Sequence, residues 1–324
     1  MNGIAAPIVA LEPAPTPDFP DTPGFKGERG FKAGRRKVSV VMVVYMTGAA
    51  LQESIERVLG DPLVDELVIV DNGSTGEDAA RLKALADCNS RVVLLSGHAN
   101  IGFARGANLG ARTAKGDILV FLNPDAFLRP RCIAELAREI AERPAPCIVG
   151  GRVLNADLTE QRGARRGDIT LFNALLSLSR LAEKVPAWRR HNVHWEGEPA
   201  PDQITAVPTI SGACFCMRRE YFDSVGGFDE KYFLHVEDVD LCWRVRRAGG
   251  EVLFHPKAEV IHLGHTSLTS PLRVEFHKGV GLARYFRKRA VGVGQHLTAW
   301  LLSPIVVGAA IVRPVMWRFR GRAG

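Results

Sequence analysis

The sequence predicts an α/β protein in which buried strands alternate with helices. Four short apolar runs, at 38–45, 67–70, 92–95 and 118–122, are continuous rather than alternating, the pattern of strands covered on both faces. Stretches of helical length, at about 49–59, 76–87, 103–114 and 130–142, separate them. Strands alternating with helices of that length build a parallel sheet. Right-handed crossovers then bring every strand's C-terminal end to one edge, where open α/β sheets bind ligands. The polar groups that follow the four runs are therefore expected to converge on one rim.

Bulk composition narrows the class. With 324 residues, 46% of them hydrophobic and 24% charged, the chain can bury a substantial core, and wholesale disorder is excluded. A formal net charge of +7 points to an anionic partner, whether nucleic acid, membrane surface or phosphorylated substrate. The basic residues form no recognisable nucleic-acid motif and no interleaved aromatic platform, so nucleic-acid binding rests on charge alone. Cys88, Cys132, Cys147, Cys214, Cys216 and Cys242 show no paired zinc spacing and read as buried thiols of a reducing compartment. The N-terminus has no charged region followed by an apolar run, so cytoplasmic residence is expected.

Along the chain, residues 1–36 are rich in Pro and Gly and read as a disordered leader. The region 144–206 has a weak pattern, punctuated by Pro199, Pro201, Trp188 and Trp195, and reads as irregular structure with short helices shaping an acceptor groove. Order returns with a strand at 210–217, a helix at 237–248, short strands at 251–254 and 258–262, and a basic helix at 270–289. The expected units are a catalytic domain at 37–268, divided into 37–143 and 144–268, and a C-terminal extension at 269–324. In that extension 297–312 is apolar but interrupted by Pro304, shorter than the ~20 residues of a spanning helix. With Arg284, Arg287, Lys288 and Arg289 before it and Arg313, Arg318, Arg320 and Arg322 around its end, it reads as a segment lying on an anionic membrane surface.

Several residues at the expected rim can carry chemistry. Asp71, in Asp71-Asn72-Gly73-Ser74, can accept a hydrogen bond from the ring N–H of a base; the plainer reading is an Asx turn. The segment from Asn100 to Gly110 is rich in Gly and Asn at a helix start, where backbone N–H groups hold phosphate oxygens with Arg105 adding charge. Its Gly106 and Gly110 serve close helix–sheet packing equally well, and its spacing is not that of a dinucleotide fingerprint. In Asn123-Pro124-Asp125 the proline stiffens the turn and fixes Asp125, a carboxylate suited to Mg²⁺ or Mn²⁺ beside a diphosphate. Glu237 and Asp238 open a helix; adjacent positions face different ways, so they serve different purposes, although the helix dipole alone favours acids there. His262 can complete a metal shell with Asp125, and His265 lies near it, without any zinc motif. In Ser211-Gly212-Ala213-Cys214, Gly212 permits close backbone approach, and this stretch is expected to line a sugar pocket.

Taken together, these blocks resemble the inverting glycosyltransferases of family two, and within them the rhamnosyltransferase-like enzymes of bacterial polysaccharide assembly. The resemblance covers roughly residues 38–290. It rests on Asp71-Asn72-Gly73-Ser74, on Asn100 to Gly110, on Asn123-Pro124-Asp125, on Gly226-Gly227-Phe228-Asp229-Glu230, and on Phe233 with Glu237-Asp238-Val239-Asp240. It implies a GT-A fold: a Rossmann-like nucleotide-binding half, a mixed central sheet flanked by helices, and a C-terminal helical extension. It further implies that Tyr45 and Asp71 face the nucleobase, and that Asn100, Gly102 and Asn108 lie along the ribose and diphosphate. Asn123-Pro124-Asp125 stands where the family has an Asp-x-Asp metal motif, which leaves Asp125 as the direct ligand. Asp238, rather than Glu237, would be the base, and His262 would complete the metal shell.

The expected reaction moves a sugar from a dTDP- or UDP-linked donor to a saccharide or lipid-linked acceptor in cell-envelope synthesis, at the inner face of the membrane. Two other readings stand beside it. A sugar nucleotidyltransferase shares the sheet and the metal–diphosphate site but places a basic Gly-rich loop after the first strand, whereas Val44-Tyr45-Met46-Thr47-Gly48 has no basic residue. A catalytically degenerate sugar-binding module would not need acids at both Asp125 and Asp238.

Overall fold

The computed structural model describes residues 36–179, 188, 191–264, 266–267 and 269–320, so the leader up to residue 35, His265 and Arg322 lie outside the described residues. β1 (Val38–Val44) is buried along its whole length, flanked by β2 (Val64–Asp71) and β4 (Ile118–Leu122), both parallel to it, with β3 (Val92–Leu95) parallel to β2. The continuous apolar run has a direct cause. Val40, Met42 and Val44 join one core with Leu51, Ile55 and Val58 of α1 (Ala50–Gly60), while Val41 and Val43 join the opposite core with Ala104, Ala107 and Ala111 of α3 (Phe103–Thr113). Both faces of the strand are covered, so its side chains are apolar apart from Ser39, whose buried hydroxyl donates to Glu66. Helix α3 lies very close: a Cβ on Gly110 would stand 2.5 Å from Val41 Cγ1. Helix α2 (Gly76–Cys88) joins β2 to β3.

The second half makes the sheet mixed. After β5 (Ala126–Leu128) and α4 (Cys132–Ala141) come β6 (Cys147–Leu154), the short β7 (Arg165–Arg166), α5 (Leu171–Ser179), β8 (Thr205–Ala206), β9 (Thr209–Ile210), β10 (Cys214–Arg218), α6 (Arg219–Ser224), α7 (Glu237–Arg247) and β11 (Glu251–His262). The strand order is β3-β2-β1-β4-β10-β6-β11-β5, with β8 on the side of β11 and β7 paired with β9 separately. β10 runs antiparallel to both β4 and β6. It is the seam between the halves.

Five expectations need correction. The region 144–206 is not wholly irregular, because β6 lies near the centre of the sheet. Gly150 and Gly151 disguise it, and both are required by close approach: a Cβ on Gly150 would meet Ile210 at 2.8 Å, and one on Gly151 would meet the Ala258 carbonyl at 2.7 Å. The stretch 210–217 is two strands separated by the turn Ser211-Gly212-Ala213, and 251–262 is a single strand with an irregularity between His255 and Glu259. Cys88 is exposed, whereas the other five cysteines are buried; all are free thiols. Finally, the tail is one helix, α9 (Gly292–Arg320), continuous through Pro304 and packed antiparallel on α8 (Pro271–Arg289). The stretch Gly292–Val312 is long and apolar enough to cross a membrane by length and composition.

Candidate active site

At the rim of the first half, the Asp71 carboxylate accepts the backbone N–H groups of Gly73 (3.0 Å) and Ser74 (2.7 Å) through Oδ1, so the Asx turn is formed. Both bonds fall on Oδ1, and Oδ2 carries none of them. The Tyr45 ring lies against the same turn, 3.2 Å from where a Gly73 Cβ would be. Asn72 donates to the Gly102 carbonyl (3.1 Å), and its Oδ1 faces His98 Nε2 at 3.1 Å. Asn100 Oδ1 accepts the Gly102 N–H at 3.0 Å. Two hydroxyls at this rim, Thr47 Oγ1 and Ser74 Oγ, are buried with no hydrogen-bond partner among the described residues. Such hydroxyls take their partner from water or from a bound polar ligand. A cavity of ≈ 590 Å³ opens beside Asp71, lined also by Ser74, Lys83, Leu94 and Ser96, within the ~300–1,000 Å³ of small-molecule sites.

Asn108 takes a different place from the one expected along the diphosphate. Its Nδ2 donates to the Phe228 carbonyl (2.9 Å) and its Oδ1 accepts the Phe228 N–H (2.9 Å). The side chain clamps α3 to the turn Gly226-Gly227-Phe228-Asp229, and its family-like position reflects packing. Gly102, at φ +84°, is where α3 meets that second half: a Cβ would stand 2.7 Å from the Phe233 carbonyl, which accepts the Phe103 N–H at 2.8 Å.

Asp125 and His262 meet across β5 and β11. Nε2 of His262 lies 3.1 Å from Asp125 Oδ1 and 3.2 Å from Asn123 Nδ2, and Thr266 donates to Asp125 Oδ2 at 2.9 Å. Burial raises the Asp125 pKa, but the His262 and Thr266 hydrogen bonds outweigh it and hold the carboxyl below its usual range. His262 Nδ1 is 2.7 Å from Gln161 Oε1, a carbonyl oxygen that accepts the ring N–H. With Nδ1–H so placed, Nε2 bonds Asp125 Oδ1 only when it too is protonated; in the neutral ring a cation between the two would take that proton's place. One carboxylate, one imidazole and substrate oxygens make a set suited to Mg²⁺ or Mn²⁺. Among the described residues no three His, Cys, Asp or Glu side chains gather as a metal site, so the remaining ligands would come from substrate and water.

The turn between β9 and β10 ties this pair to the other acids. Ala213 O accepts the Asn123 N–H at 2.9 Å, and the Gly212 N–H donates to Asp238 Oδ2 at 3.1 Å. Gly212 packs so closely that a Cβ would stand 3.2 Å from Asp238 Cβ. Arg166 Nη2 also donates to Asp238 Oδ2, at 2.5 Å, and the Val239 N–H to Oδ1 at 2.8 Å. Burial pushes the Asp238 pKa up, but the Arg166 guanidinium more than offsets this and holds it below the carboxylate range. Glu237 has the opposite environment. It is buried, Oε2 has no partner among the described residues, and burial together with the Asp238 charge pushes its carboxyl well above the usual range. Sequence alone did not separate the two acids; their surroundings do.

The loop before them is braced from outside. His235 and Val236 have positive φ (67° and 73°), and Gly281 of α8 packs against both. The Phe233 ring stacks on His277 of α8 at 4.5 Å. Sequence reasoning missed Arg166, Gln161 and Thr266 as site residues. The cluster Arg162, Arg165, Arg166 was a visible signal for the first; Gln161 and Thr266 carried none.

These features define an α/β fold with an open polar rim, a carboxylate–imidazole pair and a second, separate acid. The glycosyl transferase family 2 profile matches residues 39–226, and the chain belongs to that family. It is 29% identical over 238 residues to the N-acetylglucosaminyl-diphospho-decaprenol L-rhamnosyltransferase of Mycobacterium tuberculosis, covering 69% of this chain and 75% of that protein. It is 25% identical over 214 residues to the low-salt glycan biosynthesis hexosyltransferase Agl10 of Haloferax volcanii, covering 65% of this chain and 62% of that one. Among solved structures, GalNAc-T7 with UDP, GalNAc and Mn²⁺ superposes with a TM-score of 0.57 at 18% identity, over 78% of this chain and 48% of that one. The Pyrobaculum calidifontis mannosyltransferase PcManGT with GDP-Man and Mn²⁺ gives 0.54 at 17% identity, over 86% and 74%. Those likenesses show the GT-A fold. Family membership displaces the nucleotidyltransferase reading.

Proposed function

We propose that this glycosyltransferase moves a sugar, with inversion, from a nucleotide-diphosphate donor to a hydroxyl of a lipid-linked saccharide in cell-surface polysaccharide synthesis. The observation that carries the reading is the three-residue turn Ser211-Gly212-Ala213, which joins Asp238 on one side to Asn123-Pro124-Asp125 on the other. A base and a diphosphate site one turn apart are what single displacement at an anomeric carbon requires. Asp238 takes the proton of the acceptor hydroxyl as that oxygen bonds to the anomeric carbon. The bond from that carbon to the diphosphate breaks, and its electron pair leaves on the nucleoside diphosphate. The base faces the acceptor, so the incoming oxygen arrives opposite the leaving group and the configuration inverts.

Asp125 and His262 Nε2 would hold Mg²⁺ or Mn²⁺, which would supply positive charge beside the departing diphosphate. Tyr45, Asp71, Asn100 and Gly102 form the donor rim, with the orphaned Thr47 and Ser74 hydroxyls added to it. The similarity to a rhamnosyltransferase favours dTDP-rhamnose as donor, with UDP-hexoses fitting the same rim. Residues 37–268 are the catalytic unit.

The extension at 269–324 is a membrane-contact element. On α9, Val293, Leu297, Trp300, Leu301, Ile305 and Val312 are exposed, at spacings that put them on one face, while Ala299 and Ser303 are buried. Leu272, Phe276 and Val280 form an exposed stripe on α8. An apolar face beside basic residues suits an anionic leaflet, at the cytoplasmic side where nucleotide sugars are available. A decaprenol-linked acceptor, as in the mycobacterial relative's name, gives such docking a purpose.

The test is a donor screen by nucleotide release, with and without Mn²⁺ or Mg²⁺. Metal-dependent release is expected, and Asp238→Asn should lower turnover about 10²–10⁴-fold. Unchanged activity in that variant would remove the base assignment. Deletion of 291–324 should release the protein from anionic vesicles; retention in the membrane fraction would refute the docking role.

A further inference from the structure

Left-handed backbone marks the rim of this protein. Among the described residues the non-glycine positions with positive φ are Met46, Ala99, Arg131, Leu158, His235 and Val236. Met46 follows Tyr45 and Ala99 precedes Asn100, while His235 and Val236, the one adjacent pair, lead directly into Glu237 and Asp238. Val236 (φ 73°, ψ -12°) is also the one β-branched residue of the set, the type least at ease in the left-handed region.

Such residues persist only where their surroundings over-determine them. Here the surroundings are one face of α8. Its positions 277, 281, 284 and 288 follow the helical spacing of three and four, and all meet the segment 229–240. His277 stacks on Phe233, Arg284 donates to Asp229 Oδ2 at 2.8 Å, and Lys288 Nζ lies 2.9 Å from Asp229 Oδ2 and 2.7 Å from Asp240 Oδ1. Between them the buried Gly281 brings the helix backbone onto the turn. A Cβ there would stand 3.1 Å from the His235 carbonyl oxygen and 3.1 Å from Val236 Cγ2. Glycine inside a helix is unfavourable, a cost that this close approach explains.

We propose that Gly281 is a positioning residue for glycosyl transfer: α8 holds the His235-Val236 turn in its left-handed form, and that form aims the Asp238 carboxylate at the acceptor hydroxyl. This rests on the reading of Asp238 as the base and makes α8 part of the working enzyme as well as a membrane contact. Val236 is the N-cap of α7, and its carbonyl accepts the Asp240 N–H at 2.9 Å. A turn that relaxed toward ordinary φ would therefore rotate the first turn of α7, displacing the base without touching the donor rim.

Two glycines of α8 give a matched test in the full chain. Gly279 packs against α9, where a Cβ would stand 3.0 Å from Ala310 Cβ and 3.0 Å from Val307 Cα. Nucleotide release from dTDP-rhamnose, or from the UDP-hexose that the donor screen selects, is read alongside Tm and nucleotide affinity. Gly281→Ala should lower kcat about tenfold and leave donor KM and nucleotide affinity within about twofold, because a displaced catalytic group costs rate rather than donor binding. Gly279→Ala adds the same methyl and should shift Tm while leaving kcat unchanged. His235→Gly removes strain without a clash, so Tm should hold or rise while kcat falls several-fold; this arm stands even where the alanine variant folds poorly. His235→Asn places a residue that tolerates positive φ and should keep roughly half or more of the wild-type kcat. Equal kcat in the two alanine variants would overturn the proposal and leave glycosyl transfer intact. A loss in His235→Asn as deep as in His235→Gly would assign the effect to the imidazole and overturn it as well. A wild type that releases no nucleotide from any donor would remove the base, and the positioning role with it.

Discussion

The two halves of the rim are built differently. In the first, Tyr45, Asp71 and Asn100 stand at or just beyond the ends of parallel strands, and polar atoms of Thr47 and Ser74 are left open. In the second, almost every charge is clamped. Asp238 is held by Arg166 and two backbone N–H groups; Asp240 is held by Tyr232, Arg244 and Lys288; Asp168 is held by Arg246 and Arg289. The first rim thus leaves polar atoms open, while the second is held by ion pairs and backbone bonds. Ion pairs this enclosed add little net stability, because desolvation offsets their attraction, yet they fix geometry strongly.

The comparison can be tested in decreasing order of effect. Asp125→Asn removes the charge of the carboxylate–imidazole pair, and kcat is expected to fall about 10²–10³-fold with Mn²⁺ affinity weakened, read by steady-state kinetics and by Mn²⁺ titration. An unchanged Mn²⁺ affinity would show that the pair is not the metal site. Gly102→Ala attacks the contact between halves, where positive φ and the Phe233 carbonyl both oppose a Cβ. It should cost about 1–3 kcal/mol in denaturant unfolding and raise the donor KM. Equal stability would mean that the halves are not joined there.

The smallest effect separates the adjacent acids by sign. The Glu237 pKa is raised in the folded state, so ionisation favours unfolding, and stability is lost as pH rises above the ordinary carboxylate range. Glu237→Gln should therefore raise Tm by a few degrees near neutral pH and by nothing near pH 4. The Asp238 pKa is depressed, so its contribution has the opposite sign: it is present at neutral pH and lost as pH falls. A melting series across pH that gave both acids the same sign would refute the assignment of their environments.

How legible this was differs between the halves for the same physical reason. Continuous apolar runs at 38–45 and 118–122 announced β1 and β4 because those strands are buried on two faces and end in polar turns. β6 hid because Gly150 and Gly151 are small for Ile210 and Ala258, partners far away in sequence. Likewise Asn108 sat in a family-like block, yet its amide serves the turn at 228. Proline suggested a break at Pro304, and helix packing on α8 overrode it.

What the sequence determined by itself was the periodicity of the elements and the residue types at strand ends, since both depend on neighbours within a few positions. It thereby supplied the α/β class, the rim with Asp71, Asn100 and Asp125, and the presence of a second acidic pair. Only the tertiary structure decided which charges meet. Arg166 reaches Asp238 across 72 positions, and His262 reaches Gln161 across 101. Those contacts give the two adjacent carboxylates opposite environments and orient the His262 ring, and no local pattern encodes them because the partners become neighbours only when the sheet closes.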